Sequence, residues 1–377
     1  MRFHIDAYLQ ELSTLVGIES HTADIDGVTR LAQHLKERFD VLHWYTELID
    51  LGHTAGPILK CTNTLTAEYD ITFLGHMDTV HPKGTISSMP FRYDDHLAYG
   101  PGAADMKQGD LLMYYIARQL SIDSLFNLSV CMLFVPDEER SSYASAPYLQ
   151  AHARKTKAVF IMEPGGPDGG RCISRSGQYS AKVVFHGISA HAGYIFTMPN
   201  ASALLEAANW TCRLMALRDP QREITVNVGQ MSGGRANNIV PDYAELTFET
   251  RFKTPEDYEH IRSAISQMLS SPFVNGVQAH LEDEKYIKPW VSNAGTLALS
   301  GKLAGLAKQL DLPFQPCHRG GLSNANTIAD CDCAIIDAMG AVGEGLHSSQ
   351  ERLHISTVED SFRLCMAYLA ELAKEKS

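Results

Sequence analysis

No apolar run in this 377-residue chain approaches the roughly 18 residues that a membrane-spanning helix requires, so a helical membrane protein is not expected. Basic surplus is missing as well: 32 Lys and Arg stand against 44 Asp and Glu, a formal net charge of −12, with no basic stripe to neutralise phosphates. Nucleic acid is therefore not expected as a partner. The opening stretch Met1 to Tyr8 carries acids and lacks the apolar block of a secretory leader, which makes the cytoplasm the expected compartment. Several of the eight cysteines, such as Cys131 and Cys365, lie inside apolar runs and read as reduced core residues. Cys331-Asp332-Cys333 fits no common zinc spacing and reads as core in the same way. Gly100-Pro101-Gly102 lacks the third glycine of a dinucleotide fingerprint, and Asp105 stands where a helix would receive phosphate. Repeats and low-complexity segments are absent. What remains, 45% hydrophobic and 20% charged, is globular and too long for one ordinary core, so two domains are expected.

The informative residues stand where apolar runs stop. Ile71 to Leu74 runs into Gly75-His76-Met77-Asp78, with a histidine and a carboxylate two residues apart on one face of the chain. In that placement Asp78 can reach one ring nitrogen of His76 and leave the other for a metal. Leu128 to Val135 ends in Pro136-Asp137-Glu138-Glu139, Ala158 to Met162 ends in Glu163-Pro164, and Cys333 to Ile336 leads through a glycine-rich turn to His347-Ser348. Functional groups of open α/β sheets collect at the carboxyl ends of parallel strands, because the crevice forms there. Metal-ligand types at four such ends therefore point to one site. Asp105, after the glycines at 100 and 102, opens a helix expected from about Met106 to Leu120.

The pattern also locates the domains. Strands and helices alternate to about Ser176, as in a doubly wound, mostly parallel α/β sheet. Between about 177 and 288 the pattern becomes strand, helix (about 201 to 217), two strands (223 to 231 and 243 to 251), helix (255 to 269) and strand (276 to 283), as in a ferredoxin-like α+β domain. Ligand-type residues lie on both sides of this stretch. We therefore expect a discontinuous catalytic domain, 1–176 and 289–377, with an inserted domain at 177–288 and hinges near Ser176-Gly177 and Lys288-Pro289.

His76-x-Asp78, Gly100-Pro101-Gly102-x-x-Asp105-x-Lys107, Asp137-Glu138-Glu139, Glu163-Pro164, Ser189-Ala190-His191-Ala192-Gly193, Asn238-x-x-Pro241 and His347-Ser348 follow one another as in the two-zinc exopeptidase and amidohydrolase family. The chain resembles that family over nearly its whole length. Met77-Asp78-Thr79-Val80, Pro90-Phe91-Arg92 and Ala98 to Gly102 are most similar to its glutamate carboxypeptidase branch. The resemblance implies that His76 and Glu163 hold one Zn2+, that Glu139 and His347 hold a second, and that Asp105 bridges them, with Co2+ or Mn2+ as possible substitutes. It implies Glu138 as general base, Asp78 as the support of His76, and His191 with Asn238 as contacts to the reacting carbonyl. It further implies a cis peptide at Asp105–Met106 and a homodimer built through the inserted domain, which acts as a lid.

Substrate choice is expected to rest on arginines, since a planar guanidinium grips a free carboxylate in two places. Arg251 matches a carboxylate-binding position of the glutamate carboxypeptidase branch, and Arg171 and Arg319 are further candidates. One departure from the family stands in Gly320-Gly321-Leu322-Ser323-Asn324-Ala325, where Asn324 replaces the usual aspartate and is expected to alter substrate choice or the support of His347. The expected activity is zinc-dependent hydrolysis of the amide bond to a C-terminal amino acid, the substrate being a small peptide or an N-acyl amino acid. The neighbouring alternative is an N-acyl amino-acid deacylase or desuccinylase. A non-catalytic metal-dependent binding protein is the alternative from another class, and the presence of Glu138 speaks against it.

Overall fold

The structure, a computed structural model, describes residues 3–123 and 127–376. Met1 and Arg2, which open the stretch read for a leader, lie outside them. The chain divides into two compact units: residues 1–174, 292–318 and 323–377 form the first, and 175–291 with 319–322 the second.

The first unit is built on a six-stranded sheet in the order Tyr45–Ile49, Ile58–Thr62, Val130–Val135, Tyr69–His76, Thr156–Ile161, Ala334–Ile336. The last four run parallel and the first two pair antiparallel. Tyr69–His76 is buried at every position, as a central strand covered on both faces must be. Helices pack around the sheet. Ile25–Val41 shows how the sequence builds one: Asp24 caps its start by accepting from Gly27 N at 3.1 Å, and Val28, Leu31, Leu35 and Phe39 fall on the buried stripe. The helix expected to begin at Met106 instead runs Gln108–Ile122, preceded by a kinked turn, Ala103–Lys107, in which Asp105 and Met106 are non-helical. That turn carries Asp105, and its Asp105–Met106 peptide is cis.

The second unit is a four-stranded antiparallel sheet in the order Thr225–Gly233, Tyr243–Phe252, Gly177–His186, Gln278–Ile287, with helices Ala203–Met215 and Pro255–Ser270. Pro255–Ser270 starts at a capping box: Thr254 Oγ1 accepts from Asp257 N, and Asp257 Oδ2 accepts from Thr254 N, both at 3.2 Å. Strand order and helix placement are those of a ferredoxin-like domain.

The unit's edges differ from the sequence expectation by a few residues, for a tertiary reason. Arg175 and Trp290 exchange backbone hydrogen bonds of 2.9 and 3.1 Å, and Arg175 Nη1 donates to the carbonyls of Gly321 and Leu322 at 3.1 Å. Residues 319–322, distant in sequence, are thereby drawn into the second unit. The fully buried Trp210 anchors that unit, edge-on to Phe185 at 5.6 Å and donating to Glu206 Oε1 at 3.1 Å. Trp210→Ala should cost the second unit about 3–5 kcal/mol while leaving metal uptake intact, because every proposed metal ligand lies in the first unit. Urea unfolding followed together with zinc titration checks both halves of this expectation.

Candidate metal centre and active site

The carboxyl ends of three adjacent parallel strands deliver His76, the Asp137–Glu139 segment and Glu163 to one place, and the kinked turn Ala103–Lys107 brings Asp105 to meet them. His76 Nε2 lies 3.3 Å from Asp105 Oδ1 and 3.4 Å from Glu163 Oε1. On the other side, His347 Nε2 lies 3.2 Å from Asp105 Oδ2 and 3.3 Å from Glu139 Oε2. The two oxygens of Asp105 thus face two different histidines. Ligand atoms about 2.0–2.2 Å from a tetrahedral ion stand roughly 3.3–3.5 Å from one another, which is the spacing found here. Two sets, His76 with Glu138 and Glu163, and His76 with Asp105 and Glu139, place their ligand atoms within 4.8 Å of one another.

His76 settles whether these residues fit a cation. Its Nδ1 is 2.9 Å from the backbone carbonyl of Asp78, so the ring proton belongs there, and Nε2 is buried without a hydrogen-bond partner. A desolvated imidazole nitrogen amid carboxylates is a ligand waiting for a metal. Glu139 Oε1 is likewise buried and unpartnered. The residues fit a divalent cation bound by nitrogen and oxygen.

Charge balance points the same way. Burial, with Glu163, Glu139 and Asp78 close by, pushes the Glu138 carboxyl well above the usual carboxylate range. Burial also raises Glu163, and it lifts Glu139 to about 7. Hydrogen bonds to Asp105 and Glu139 raise His347 to about 11, and at His76 the carboxylates of Asp105, Asp78 and Glu163 outweigh the burial that opposes its charge. Asp105 moves the other way: burial pushes it up, but the imidazoles of His347 and His76 facing its oxygens more than reverse this.

Asp78 does more than support His76. Its carboxylate lies 3.4 Å from His76 Nδ1, farther than its own carbonyl, and it accepts from Glu138 N and Glu139 N, each at 3.1 Å. One carboxylate therefore aims the two glutamates as well as the histidine. Other supports were not identified from the sequence. Asp137 Oδ2 accepts from Ala144 N at 2.7 Å and Ser145 N at 3.2 Å, closing the turn behind Glu138 and Glu139. Buried Lys107, lowered to about 8 by desolvation, donates to Ile18 O at 2.8 Å. Glu351, fully buried, accepts from the Asp105 turn. Asp137 and Lys107 stand inside the motifs Asp137-Glu138-Glu139 and Asp105-x-Lys107, which signal them; Glu351 carries no such signal.

The pattern of the family described as "Peptidase family M20/M25/M40" matches residues 72–375. The chain belongs to that family. As an M20 family protein it is a metallopeptidase or amidohydrolase by class. Over 375 residues it is 24% identical to carboxypeptidase G2 of Pseudomonas sp. (strain RS-16), covering 98% of this chain and 90% of that protein. Succinyl-diaminopimelate desuccinylase of Psychrobacter sp. (strain PRwf-1) is 25% identical over 325 residues, covering 80% of this chain and 79% of that one. Among solved structures, aminopeptidase PepT of Bacillus cereus superposes with a TM-score of 0.81 at 22% identity over 98% of this chain and 99% of that one. Bacillus subtilis YXEP, described as a dinuclear metal binding peptidase from the M20 family, superposes with a TM-score of 0.68 at 13% identity over 98% of this chain and 99% of that one. These likenesses establish the M20 fold: a mostly parallel α/β core with an inserted domain. No helix among the described residues is long and apolar enough to cross a membrane.

The remaining candidates divide between the two units. In the second, the Asn238 carbonyl accepts from Ala192 N at 2.9 Å beside His191, whose Nδ1 accepts from Gly193 N at 3.0 Å. Arg251 donates through Nε to Glu249 Oε1 at 2.7 Å, and its Nη1 is buried without a hydrogen-bond partner. Arg319 closes the strand Gln315–Arg319, and its carbonyl accepts from Ser176 N at 3.0 Å. Arg171 requires correction. It is buried in the first unit and donates to the carbonyls of Ala338 and Gly340 at 2.6 and 2.8 Å and to Ser361 Oγ at 3.1 Å, so its guanidinium knits the core instead of facing a substrate. Asn324 is buried too, and its Nδ2 donates to Ser142 Oγ at 2.6 Å. Its influence therefore runs to the chain just after Glu139 and not to His347.

A carboxyl such as Glu139, at about 7 in the folded chain against an ordinary 4.5, binds its proton more tightly folded than unfolded. Stability it contributes to the metal-free fold is present at low pH and lost as pH rises from the ordinary value through about 7. Metal ligands must be deprotonated, so cation uptake strengthens over the same interval. The gap in melting temperature between zinc-saturated and metal-free protein should widen between about pH 5 and about pH 8. A gap that stays constant in calorimetry would contradict this account.

Proposed function

We propose that the protein is a two-metal, zinc-dependent hydrolase of the amide bond to a C-terminal amino acid, acting as a glutamate-type carboxypeptidase. The observation that carries this reading is Asp105, whose two oxygens lie 3.3 and 3.2 Å from His76 and His347. His76, Asp105 and Glu163 would hold one ion, and Glu139, Asp105 and His347 the other, with Co2+ or Mn2+ able to take the place of zinc. When bound, the ions supply positive charge that acidifies water and polarises a carbonyl.

The chain's own residues do the rest. Glu138 is clustered with His76 and Glu163 but belongs to neither set of ligands proposed above, and its raised proton affinity suits it to take a proton from water and hand it to the leaving amine. Asp78 fixes its direction by holding its backbone N–H. In the second unit, the Gly193 bond to His191 Nδ1 leaves Nε2–H as the donor, which suits His191 to stabilise the oxyanion of the attacked carbonyl, with Asn238 beside it. Arg251, with a buried and unpartnered Nη1, is proposed to take the substrate's carboxylate, with Arg319 as a further contact. We assign the second unit the roles of lid and dimerisation domain, and the chain to the cytoplasm, in keeping with eight free cysteines.

The desuccinylase relatives support the second reading, an N-acyl amino-acid deacylase or desuccinylase working with the same ligands. Hydrolysis of a dipeptide panel beside N-acetyl and N-succinyl amino acids separates the two. Glu138→Ala should leave zinc content near two per chain while lowering kcat by about 10²–10⁴; turnover at the wild-type rate would remove Glu138 from the mechanism. Arg251→Ala should raise KM for substrates ending in glutamate or aspartate by at least about tenfold and far less for neutral ones. An equal effect on both classes would remove Arg251 from carboxylate recognition.

A further inference from the structure

Glu351 is fully buried, and its carboxylate draws four donors from two distant segments. Oε2 accepts from Gly102 N at 3.1 Å and is 2.6 Å from His81 Nε2, while Oε1 accepts from Ala104 N at 2.9 Å and Asp105 N at 3.0 Å. His81 lies just beyond Asp78, and the three backbone donors belong to the turn that ends in Asp105. Glu351 itself closes the loop that carries His347. That loop is internally tied: Ser348 Oγ donates to Gly345 O at 2.7 Å and accepts from Gln350 N at 3.1 Å, and Glu351 N donates to Ser348 O at 3.3 Å. Gly345, at φ 64°, lies so close beneath Gln350 that a Cβ would sit 2.4 Å from its carbonyl oxygen. Movement of Glu351 is therefore movement of His347.

We propose that Glu351 is the positioning residue that makes the two metal positions a pair. It acts through the backbone of Asp105 and the loop of His347, locking the bridging carboxylate against the histidine that faces its second oxygen. A buried carboxylate needs this many donors to offset its desolvation, and these donors are also the groups that set the direction of Asp105. Glutamine is no substitute, because its amide nitrogen would point an N–H at Gly102 N–H or at a second donor. The inference rests on the two-metal reading above.

The test measures metal binding without relying on turnover. Metal-free wild type, Glu351→Gln and Glu351→Asp are titrated with Zn2+ against a chelating indicator, and with Co2+ followed by its visible absorption, after circular dichroism has checked folding. Wild type should bind two equivalents; if it does not, the two-metal reading itself fails. Glu351→Gln should take up the first equivalent with near wild-type affinity and bind the second about 10–100-fold more weakly, with an altered second-site cobalt spectrum that Glu351→Asp partly restores. Two equivalents bound by folded Glu351→Gln at wild-type affinity, or equal weakening of both, would overturn the proposal. Should Glu351→Gln not fold, His81→Phe, which removes one donor of the four, decides: selective weakening of the second equivalent supports the proposal, and unchanged binding overturns it.

Discussion

The whole arrangement depends on keeping carboxylates together where water cannot screen them. Asp78, Asp105, Glu138, Glu139 and Glu163 share one neighbourhood with two imidazoles, and burial raises the proton affinity of the three glutamates. Like charges at this density are tolerated only when protons or a cation occupy the space between them. Asp110, nearby, inclines to the first solution: both its oxygens are buried without a hydrogen-bond partner, and burial holds its carboxyl well above the ordinary range. At His76, Asp105 and His347 the ligand atoms are spaced to suit the second solution. A cation bound there would relieve the repulsion among these carboxylates.

A charge cluster of this kind must be held by something stiffer than itself. Parallel strands supply the first layer, since their ends cannot shift without breaking ladder hydrogen bonds on both sides. The second layer is a set of backbone N–H groups bound by carboxylates that are not proposed ligands: Asp78 takes Glu138 and Glu139, Asp137 takes Ala144 and Ser145, and Glu351 takes Gly102, Ala104 and Asp105. In each case a negative side chain fixes main-chain direction, and the main chain aims a proposed ligand or base. The unused acids around the cluster therefore add to the charge and also supply its rigidity.

How much of this could be read from the sequence follows the range of the interactions. The positions of His76, Glu139 and Glu163 were legible because an apolar run followed at once by a metal-ligand type is a local signal, and β-strand direction converts it into a place in space. The ferredoxin-like alternation of the second unit was legible for the same reason, with the Thr254 and Asp257 capping box marking a helix start. Glu351 was not, since it meets Asp105 across 246 residues of chain and no local pattern predicts that meeting. Arg171 failed for the converse reason: a guanidinium that resembles a carboxylate receptor in sequence is, in space, committed to the carbonyls of Ala338 and Gly340. The drawing of residues 319–322 into the second unit by Arg175 is likewise a tertiary event without a local signature.

The proposed metal ligands and the proposed substrate contacts divide between the units. Every proposed metal ligand and the proposed base stand in the first unit, whereas His191, Asn238, Arg251 and Arg319 stand in the second. Relatives named as a carboxypeptidase and as a desuccinylase match this chain at 24% and 25% identity, as expected if amide hydrolysis is common to them and discrimination is not. The Arg251 guanidinium has one nitrogen bound to Glu249 and another, Nη1, buried and unsatisfied, so an anionic substrate group that reached Nη1 would be favoured over a neutral one. Selectivity for a carboxylate at Arg251 would then come from satisfying that nitrogen, independent of which bond the first unit cleaves.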